Sequence, residues 1–411
     1  MKPDVVIPCF NYPPLQGVGA LRWTNLAKCL SEFWSIEVLS VKRSYIGIKP
    51  FNYDRCPNFQ LKLFNGGFLP FLMEYPWSPD NLKMLIKVIA SKATSFSHPT
   101  DYAEKWITNI ESHLLMRMDQ GCLFIVTAAP YSLQYYIVKL FESRGYTNYI
   151  LDFQDPWTTD PFRSYASQSL RTRDRQRETW MLNRHNVSNV FVTKGLLDNM
   201  TMNPKLSHII ENGHDIFDLK INCAKLFNKK NKGDQHFKLV YFGTLANGRD
   251  KLFCRFLTGI CLLKQSISFD IYGRSSRFLK RFLSSYPLPA SIQVQLFNPV
   301  PRSQLVELAD KYDVGLQVNA DEYPYLVSTK IYEYPALGLP VLCLCNYGEV
   351  TDMIKSSRIG FSVTEHTSPD ELMSALSYIM SLDPANIYDY AASSTWKNRS
   401  LSFSELIQSK A

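Results

Sequence analysis

The sequence predicts an α/β protein built from two doubly wound parallel-sheet domains, and three observations carry that reading. Short apolar runs alternate with helical patterns along the first half: "DVVIPCF", "IEVLSV", "CLFIVTA", "NYILDF" and "NVFVT". A second series, "FKLVYFG", "ISFDIYG", "IQVQLF", "DVGLQVN" and "LPVLCLC", repeats the alternation. Runs this short and this continuously apolar belong in parallel strands covered by helices on both faces. Between the two series lies a segment, residues 204–237, whose second half is rich in Lys and Asn, which marks a hinge.

A chain of 411 residues that is 45% hydrophobic can bury a core in each domain. The opening "MKPDVVIPCFNYPP" runs into a strand without the apolar run and cleavage site of a secretory signal. No stretch has the roughly 18 uninterrupted apolar residues of a membrane span. Nine cysteines, an odd count without a C-x-x-C pair, argue against a disulfide framework or a zinc ribbon. A cytoplasmic protein is expected. The formal net charge of +8 is dispersed, favouring anionic partners in general without indicating nucleic acid.

Three strand-to-helix turns carry residues suited to chemistry. In "CFNYPPLQGVGALRW", Gly17 and Gly19 would let backbone approach a ligand at a helix start, although the third glycine of a dinucleotide fingerprint is missing and a dehydrogenase is disfavoured. In "ILDFQDPWTTDPF", Asp152, Asp155 and Asp160 follow a strand, and Asp155 with Trp157 offers a carboxylate and an apolar plate for a sugar ring. The alternative there is an Asp that caps a turn, with Trp157 packed as core. In "LVYFGTLANGRDKLF", Gly243 precedes Arg249 and Lys251, two cations able to neutralise a departing diphosphate; otherwise they start a solvated helix.

The stretch "PYLVSTKIYEYPALGLPVL" reads as a helix start. Ser328 or Thr329 would cap it, free N–H groups and Lys330 would face an anion, and Pro335 would fall within the first turn or so. Glu333, one turn on, would accept hydrogen bonds from ribose hydroxyls, or serve only as the acidic part of a cap. The absence of a D-x-D pair and the scatter of seven His predict no obligatory metal.

Taken in order, "YPPLQGVGALR", "LDFQDPW", "IIENGHD", "VYFGTL", "DIYGR", "STKIYEYPALGLPVL" and "IGFSV" resemble glycosyltransferase family 4, the retaining nucleotide-sugar transferases of GT-B fold, over nearly the whole chain. The resemblance implies a Rossmann-like acceptor domain (1–203), a hinge (204–237), a Rossmann-like donor domain (238–385) and a helical tail (386–411) crossing back to the first domain. It implies a UDP- or GDP-linked sugar as co-substrate without further cofactor, and a glycan or lipid-linked glycan as acceptor. Gly17, Gly19, Gly243, Thr244, Arg274, Ser328, Thr329, Lys330 and Glu333 would bind the donor, Asp155 and Trp157 the acceptor, while Asp155, Arg249, Lys251 and Lys330 would serve catalysis. Assembly of a bacterial surface polysaccharide is the implied setting. Two positions depart from the pattern. Tyr325 stands where the first Glu of the family's E-x7-E pair belongs, and Thr244 stands where many members carry Arg.

A nucleotide-sugar epimerase of the same fold and a catalytically silent nucleotide-sugar binder or scaffold are the other two readings. The helix pattern over residues 78–96, with Lys83 and Lys87 beside an apolar stripe, fits either contact with an anionic membrane or an ordinary domain helix. The run Arg171, Arg173, Arg175, Arg177 has the same ambiguity.

Overall fold

The computed structural model describes residues 4–13, 18–42, 58–65, 103–128, 130–161, 163, 165, 167–184, 187–200, 206–216, 219 and 236–410. The chain divides into two units, Met1–Glu211 with Trp396–Ala411, and Asn212–Thr395.

The first unit carries a parallel sheet of β1 (Val5–Pro8), β2 (Ile36–Lys42), β3 (Phe59–Asn65), β4 (Leu123–Thr127), β5 (Tyr149–Phe153), β6 (Ser188–Phe191) and β7 (Ser207–Ile209), in the order β3-β2-β1-β4-β5-β6-β7. Around it lie α1 (Val18–Leu30), α2 (Ala103–Asp119), α3 (Leu133–Ser143), α4 (Gln168–Leu182) and the short α5 (Lys194–Asn199). Every residue of β1, β4 and β5 is buried, which is why those strands read as continuous apolar runs. β3 was missed because it is an edge strand. Its sequence "FQLKLFN" alternates, and Gln60 and Leu63 are exposed.

Two buried ion clusters brace this unit. Asp152 on β5 accepts from Arg22 Nη2 at 2.8 Å, Arg22 Nε at 3.1 Å and Trp23 Nε1 at 2.8 Å. Arg22 also donates to the carbonyls of Ile210 and Glu211, tying α1 to the end of the unit's main segment. Glu37 on β2 is held by His113, Arg117 and Lys62. Burial alone would raise its carboxyl, but those three donors bring it down to about 2.

The second unit repeats the architecture with β8 (His236–Phe242), β9 (Ser266–Tyr272), β10 (Ile292–Phe297), β11 (Val314–Val318), β12 (Val341–Leu344) and β13 (Gly360–Val363), in the order β10-β9-β8-β11-β12-β13. Its helices are α6 (Arg249–Gly259), α7 (Arg277–Ser285), α8 (Leu305–Ala309), α9 (Lys330–Ala336), α10 (Glu349–Ser357), α11 (Pro369–Ser381) and α12 (Pro384–Ser393). A break at Ser394–Thr395 separates α12 from α13 (Trp396–Gln408). α12 stays with the second unit, where Tyr390 stacks on Tyr332 of α9. α13 returns to the first, where Phe403 meets Trp23 edge-on and Ser404 accepts from Trp34 Nε1 at 2.9 Å.

In both sheets the strand order reverses about one central pair, β1/β4 and β8/β11. Each of these pairs shares two rungs, Val5 with Leu123 and Val6 with Phe124, then Val314 with Leu239 and Gly315 with Val240. Beyond them the ladder is replaced by side-chain hydroxyls. Thr127 Oγ1 reaches the Pro8 carbonyl at 3.2 Å. The Tyr334 hydroxyl accepts from Phe242 N at 3.0 Å and donates to the Leu316 carbonyl at 3.0 Å. Ligands of open α/β sheets bind outside the carboxyl ends of strands at such switch points.

Candidate functional site

At the β8/β11 switch point the sequence first determines where Tyr334 can sit. Gly315 on β11 leaves room for the ring, since a Cβ there would lie 2.5 Å from Tyr334 Cγ. Full burial raises the Tyr334 hydroxyl well above its ordinary value, so it stays protonated and keeps its donor. With α9 pinned in this way, its first residue, Lys330, lies against the loop that leaves β8.

That loop turns at Gly243, whose φ of +132° favours glycine; a Cβ there would stand 3.1 Å from Lys330 Cε and 3.2 Å from Nζ. The loop leaving β9 interlocks with it. Gly273 (φ +155°) has no room for a Cβ, which would fall 1.9 Å from the Gly243 carbonyl oxygen. Leu245 N donates to the Arg274 carbonyl at 2.9 Å. Lys330 Nζ lies 4.8 Å from the centroid of the Tyr241 ring and 3.3 Å from Ser328 Oγ, and the Tyr241 hydroxyl donates to the Thr244 carbonyl. Lys330 is only 9% exposed, and among the described residues it has no carboxylate partner. A buried ammonium with a hydroxyl and an aromatic face as its only neighbours of this kind is a place for an anion.

The structure therefore brings Gly243, Thr244, Arg274, Ser328 and Lys330 together. Arg249 opens α6 half-buried with Nε on the Ala246 carbonyl, and Lys251 beside it is exposed. Gly19 lies within α1, and Gly17 and the 78–96 segment fall outside the described residues, as does most of the stretch between Ile216 and His236.

Several details of the α9 start differ from the sequence reading. Thr329 is the N-cap but makes no side-chain cap bond; Ser328 Oγ instead sits 3.4 Å from Lys330 N. The N–H groups expected to be free are taken: Ile331 N bonds the Ser328 carbonyl, and Tyr332 N and Glu333 N bond that of Thr329. An anion at this point would meet the Lys330 ammonium and not those three N–H groups. Pro335 is the sixth residue of a seven-residue helix, past the first turn, so the Ile331 carbonyl has no intrahelical donor from it. Glu333 is 7% exposed, and its Oε1 accepts from Arg302 Nη1 at 2.6 Å. Arg302 also donates through Nε at 3.0 Å to Asp215. Arg302 was missed, because a lone Arg in the loop "NPVPRSQL" carries no pattern. Tyr241 and Tyr334 were missed because an aromatic within an apolar run reads as core.

Tyr325 is 9% exposed and meets Tyr323 edge-on.

In the first unit Glu178 of α4 fixes the loop after β5 by accepting from Trp157 N at 3.2 Å, from Thr158 N and from the Thr158 hydroxyl. Burial raises its carboxyl in spite of these donors. Trp157 is 3% exposed, so it packs as core and does not offer the apolar plate. Asp155 is exposed on the same loop. Surrounding protein on its other sides, and then Asp160, raise its carboxyl to about 6, a shift that open solvent tempers. Asp160 accepts from the Tyr131 hydroxyl at 3.0 Å. Asp152 is wholly structural, as part of the Arg22 cluster. In the arginine run, Arg171 and Arg175 are exposed, while Arg173 and Arg177 lie 3.6 and 3.7 Å from Asp174.

Among the described residues no three His, Cys, Asp or Glu are grouped as a metal site, and no helix is long and apolar enough to cross a membrane.

No protein-family model matches the sequence. Nor is any curated protein significantly similar to it. Solved structures do match. The chain is similar to a sucrose-phosphate synthase from Thermosynechococcus elongatus, with TM-score 0.67, 13% identity and 98% of both chains covered. It is similar to WaaG, a glycosyltransferase involved in lipopolysaccharide biosynthesis, with TM-score 0.58, 13% identity, and 98% of this chain and 99% of that one covered. HepE from Anabaena in complex with UDP matches with TM-score 0.61, 12% identity, and 99% and 100% coverage. With its two parallel-sheet units, the chain has the GT-B fold.

Proposed function

We propose that this chain is a glycosyltransferase that moves a hexose-type unit from a nucleoside diphosphate sugar, UDP- or GDP-linked, to a glycan or lipid-linked glycan, with retention at the anomeric carbon. The observation that carries the reading is Lys330, a buried cation without a counter-charge among the described residues, at the carboxyl end of the split β8/β11 pair. A diphosphate is the ligand that such a position suits, because its charge grows as the sugar–phosphate bond breaks. Solved structures of the same fold that act in sugar transfer or were crystallised with UDP support the choice of donor.

In this reading Lys330, Arg249 and Lys251 stabilise the departing diphosphate, and Gly243, Thr244, Arg274, Ser328 and Thr329 line its site. Glu333 offers a ribose the oxygen that Arg302 leaves over. A donor phosphate oxygen takes the proton of the incoming hydroxyl on the face the diphosphate leaves. Asp155, whose exposure tempers the rise in its carboxyl, is ionised at neutral pH and orients the acceptor. The reaction needs no metal, works in the cytoplasm at the inner face of the membrane, and serves a bacterial surface polysaccharide.

The test is release of nucleoside diphosphate from a panel of UDP- and GDP-sugars by the purified protein, with product anomers read by NMR. Turnover that persists in chelator, and an α-linked product from an α-linked donor, are expected. An inverted product, or activity lost in chelator and restored by a divalent ion, contradicts the corresponding part of the proposal. Tyr325 in place of the family's first Glu favours the second reading, a silent binder. Donor binding without any turnover would select it, and donor converted to its epimer would select an epimerase.

A further inference from the structure

The Glu333 carboxylate is gripped on one side only. Its Oε1 accepts from Arg302 Nη1 at 2.6 Å. The other edge of the same guanidinium donates to one oxygen of Asp215, through Nε at 3.0 Å and through Nη2. Both flanks of this bridge are set by backbone. Arg302 follows Pro301, whose φ of −58° leads the chain into the turn Arg302–Gln304, closed by Gln304 N on the Pro301 carbonyl at 3.0 Å. Asp215 follows the buried His214, whose N bonds the Ser394 carbonyl at 3.1 Å and whose Nε2 lies 2.7 Å from the Ala391 carbonyl. His214 Nδ1 then accepts from Ile216 N at 3.2 Å, so the chain is tied down on either side of Asp215. Glu333 itself belongs to α9, every residue of which is buried.

The second oxygen carries the inference. Among the described residues Glu333 Oε2 has no hydrogen-bond partner, and it is not enclosed by protein. One guanidinium between two carboxylates leaves the triad with a net charge of −1. An acceptor oxygen of that charge, with its lone pairs open, suits a neutral group bearing two neighbouring hydroxyls and repels a phosphate. Lys330 and Glu333 are three positions apart in α9, which sets their Cβ atoms about 5–6 Å apart on one side of the helix. A cation and an acceptor so spaced match the phosphate and the sugar hydroxyls of one nucleotide.

We propose that Arg302 is a positioning residue that makes this site specific for a ribonucleotide whose 2′- and 3′-hydroxyls are both free. Held by Asp215 and holding Oε1, it fixes the Glu333 carboxylate in the orientation that turns Oε2 to the ribose. Without it a carboxylate this buried loses its counter-charge and its orientation together. The inference rests on the nucleoside diphosphate donor proposed above and adds to it a discrimination against 2′-deoxynucleotides, set by two residues that need not touch the ligand.

Calorimetric titration of UDP, GDP and their 2′-deoxy counterparts into the full chain tests it. The readout is the ratio of dissociation constants, deoxy over ribo, because a partial loss of folded protein changes the stoichiometry and leaves that ratio alone. In the wild type the ratio should be at least about tenfold for the preferred nucleotide, the scale of one hydrogen bond to a charged group. Arg302→Met should bring it below about threefold, and Arg302→Lys and Asp215→Asn to values in between. Glu333→Gln should lower it as well, and Arg302→Met added to Glu333→Gln should change it no further, as expected of a residue that acts through Glu333. A wild-type ratio near one, or a wild-type ratio retained in Arg302→Met, overturns the positioning role while the donor reading stands. Should Arg302→Met fail to fold, unchanged ratios in both Arg302→Lys and Asp215→Asn overturn it equally. A wild type that binds neither UDP nor GDP removes the donor reading and this inference with it.

Discussion

Tyr334→Phe deletes one oxygen atom and should destabilise the second unit more than its size suggests. The ring would stay in the space that Gly315 leaves, so little packing changes. What is lost is the bridge across the split β8/β11 pair. Phe242 N–H, 3.0 Å from the hydroxyl, would be left buried without its acceptor, which costs about 1–3 kcal/mol. The Leu316 carbonyl loses a donor as well, at smaller cost, because a carbonyl has a second lone pair. The expected total is about 2–3 kcal/mol. For a unit running from Asn212 to Thr395, this lowers Tm by roughly 4–12 °C. Differential scanning calorimetry reads this directly, with urea unfolding as a check. Because the same bridge sets the position of α9, nucleotide affinity should fall with it. A Tm within about 1 °C of wild type would refute the bridging role.

Gly315→Ala attacks the same contact from the other side, placing a Cβ 2.5 Å from the Tyr334 ring, and should cost at least as much stability in the same calorimetric scan. Asp152→Asn removes the counter-charge of a fully buried Arg22 and should destabilise the first unit by about 3–5 kcal/mol in urea unfolding. Glu37, whose folded carboxyl lies near 2 against an ordinary 4.5, contributes stability that is complete above its unfolded value and is lost as pH falls from about 5 to 2. Acid unfolding of Glu37→Gln should accordingly be flatter over that range, by about 3 kcal/mol, and an unchanged acid limb would remove Glu37 from the account.

The central strands were legible because burial on both faces makes them continuously apolar; each of the ten runs quoted from the sequence overlaps an observed strand. The strands that escaped notice had lost that signal. β3 alternates at an edge, and β7 is three residues long with His208 and Ile209 exposed. Glycines told more than charges. Gly243, at the end of a strand, holds a φ of +132° that favours glycine, and a Cβ there would press on Lys330. Lys330 was read as part of a helix start, and it opens α9. The backbone hydrogen bonds at the α9 start were not legible, because whether an N–H is free depends on how the preceding residues turn. Arg302 was invisible, since its partners Asp215 and Glu333 lie 87 and 31 residues away. Asp152 and Asp155 are three positions apart in one motif, yet one is sealed in an ion cluster and the other faces solvent. Only the fold distinguishes them.

In the proposed reaction Lys330 is the counter-charge of the departing diphosphate. Isothermal titration calorimetry of UDP and GDP into wild type and Lys330→Ala, together with donor turnover by both, tests it. The wild type should bind one of the two nucleotides, Lys330→Ala should bind it at least tenfold more weakly, and kcat should fall by about two orders of magnitude while Tm holds. A folded Lys330→Ala protein that binds nucleotide and turns over as the wild type does would contradict it.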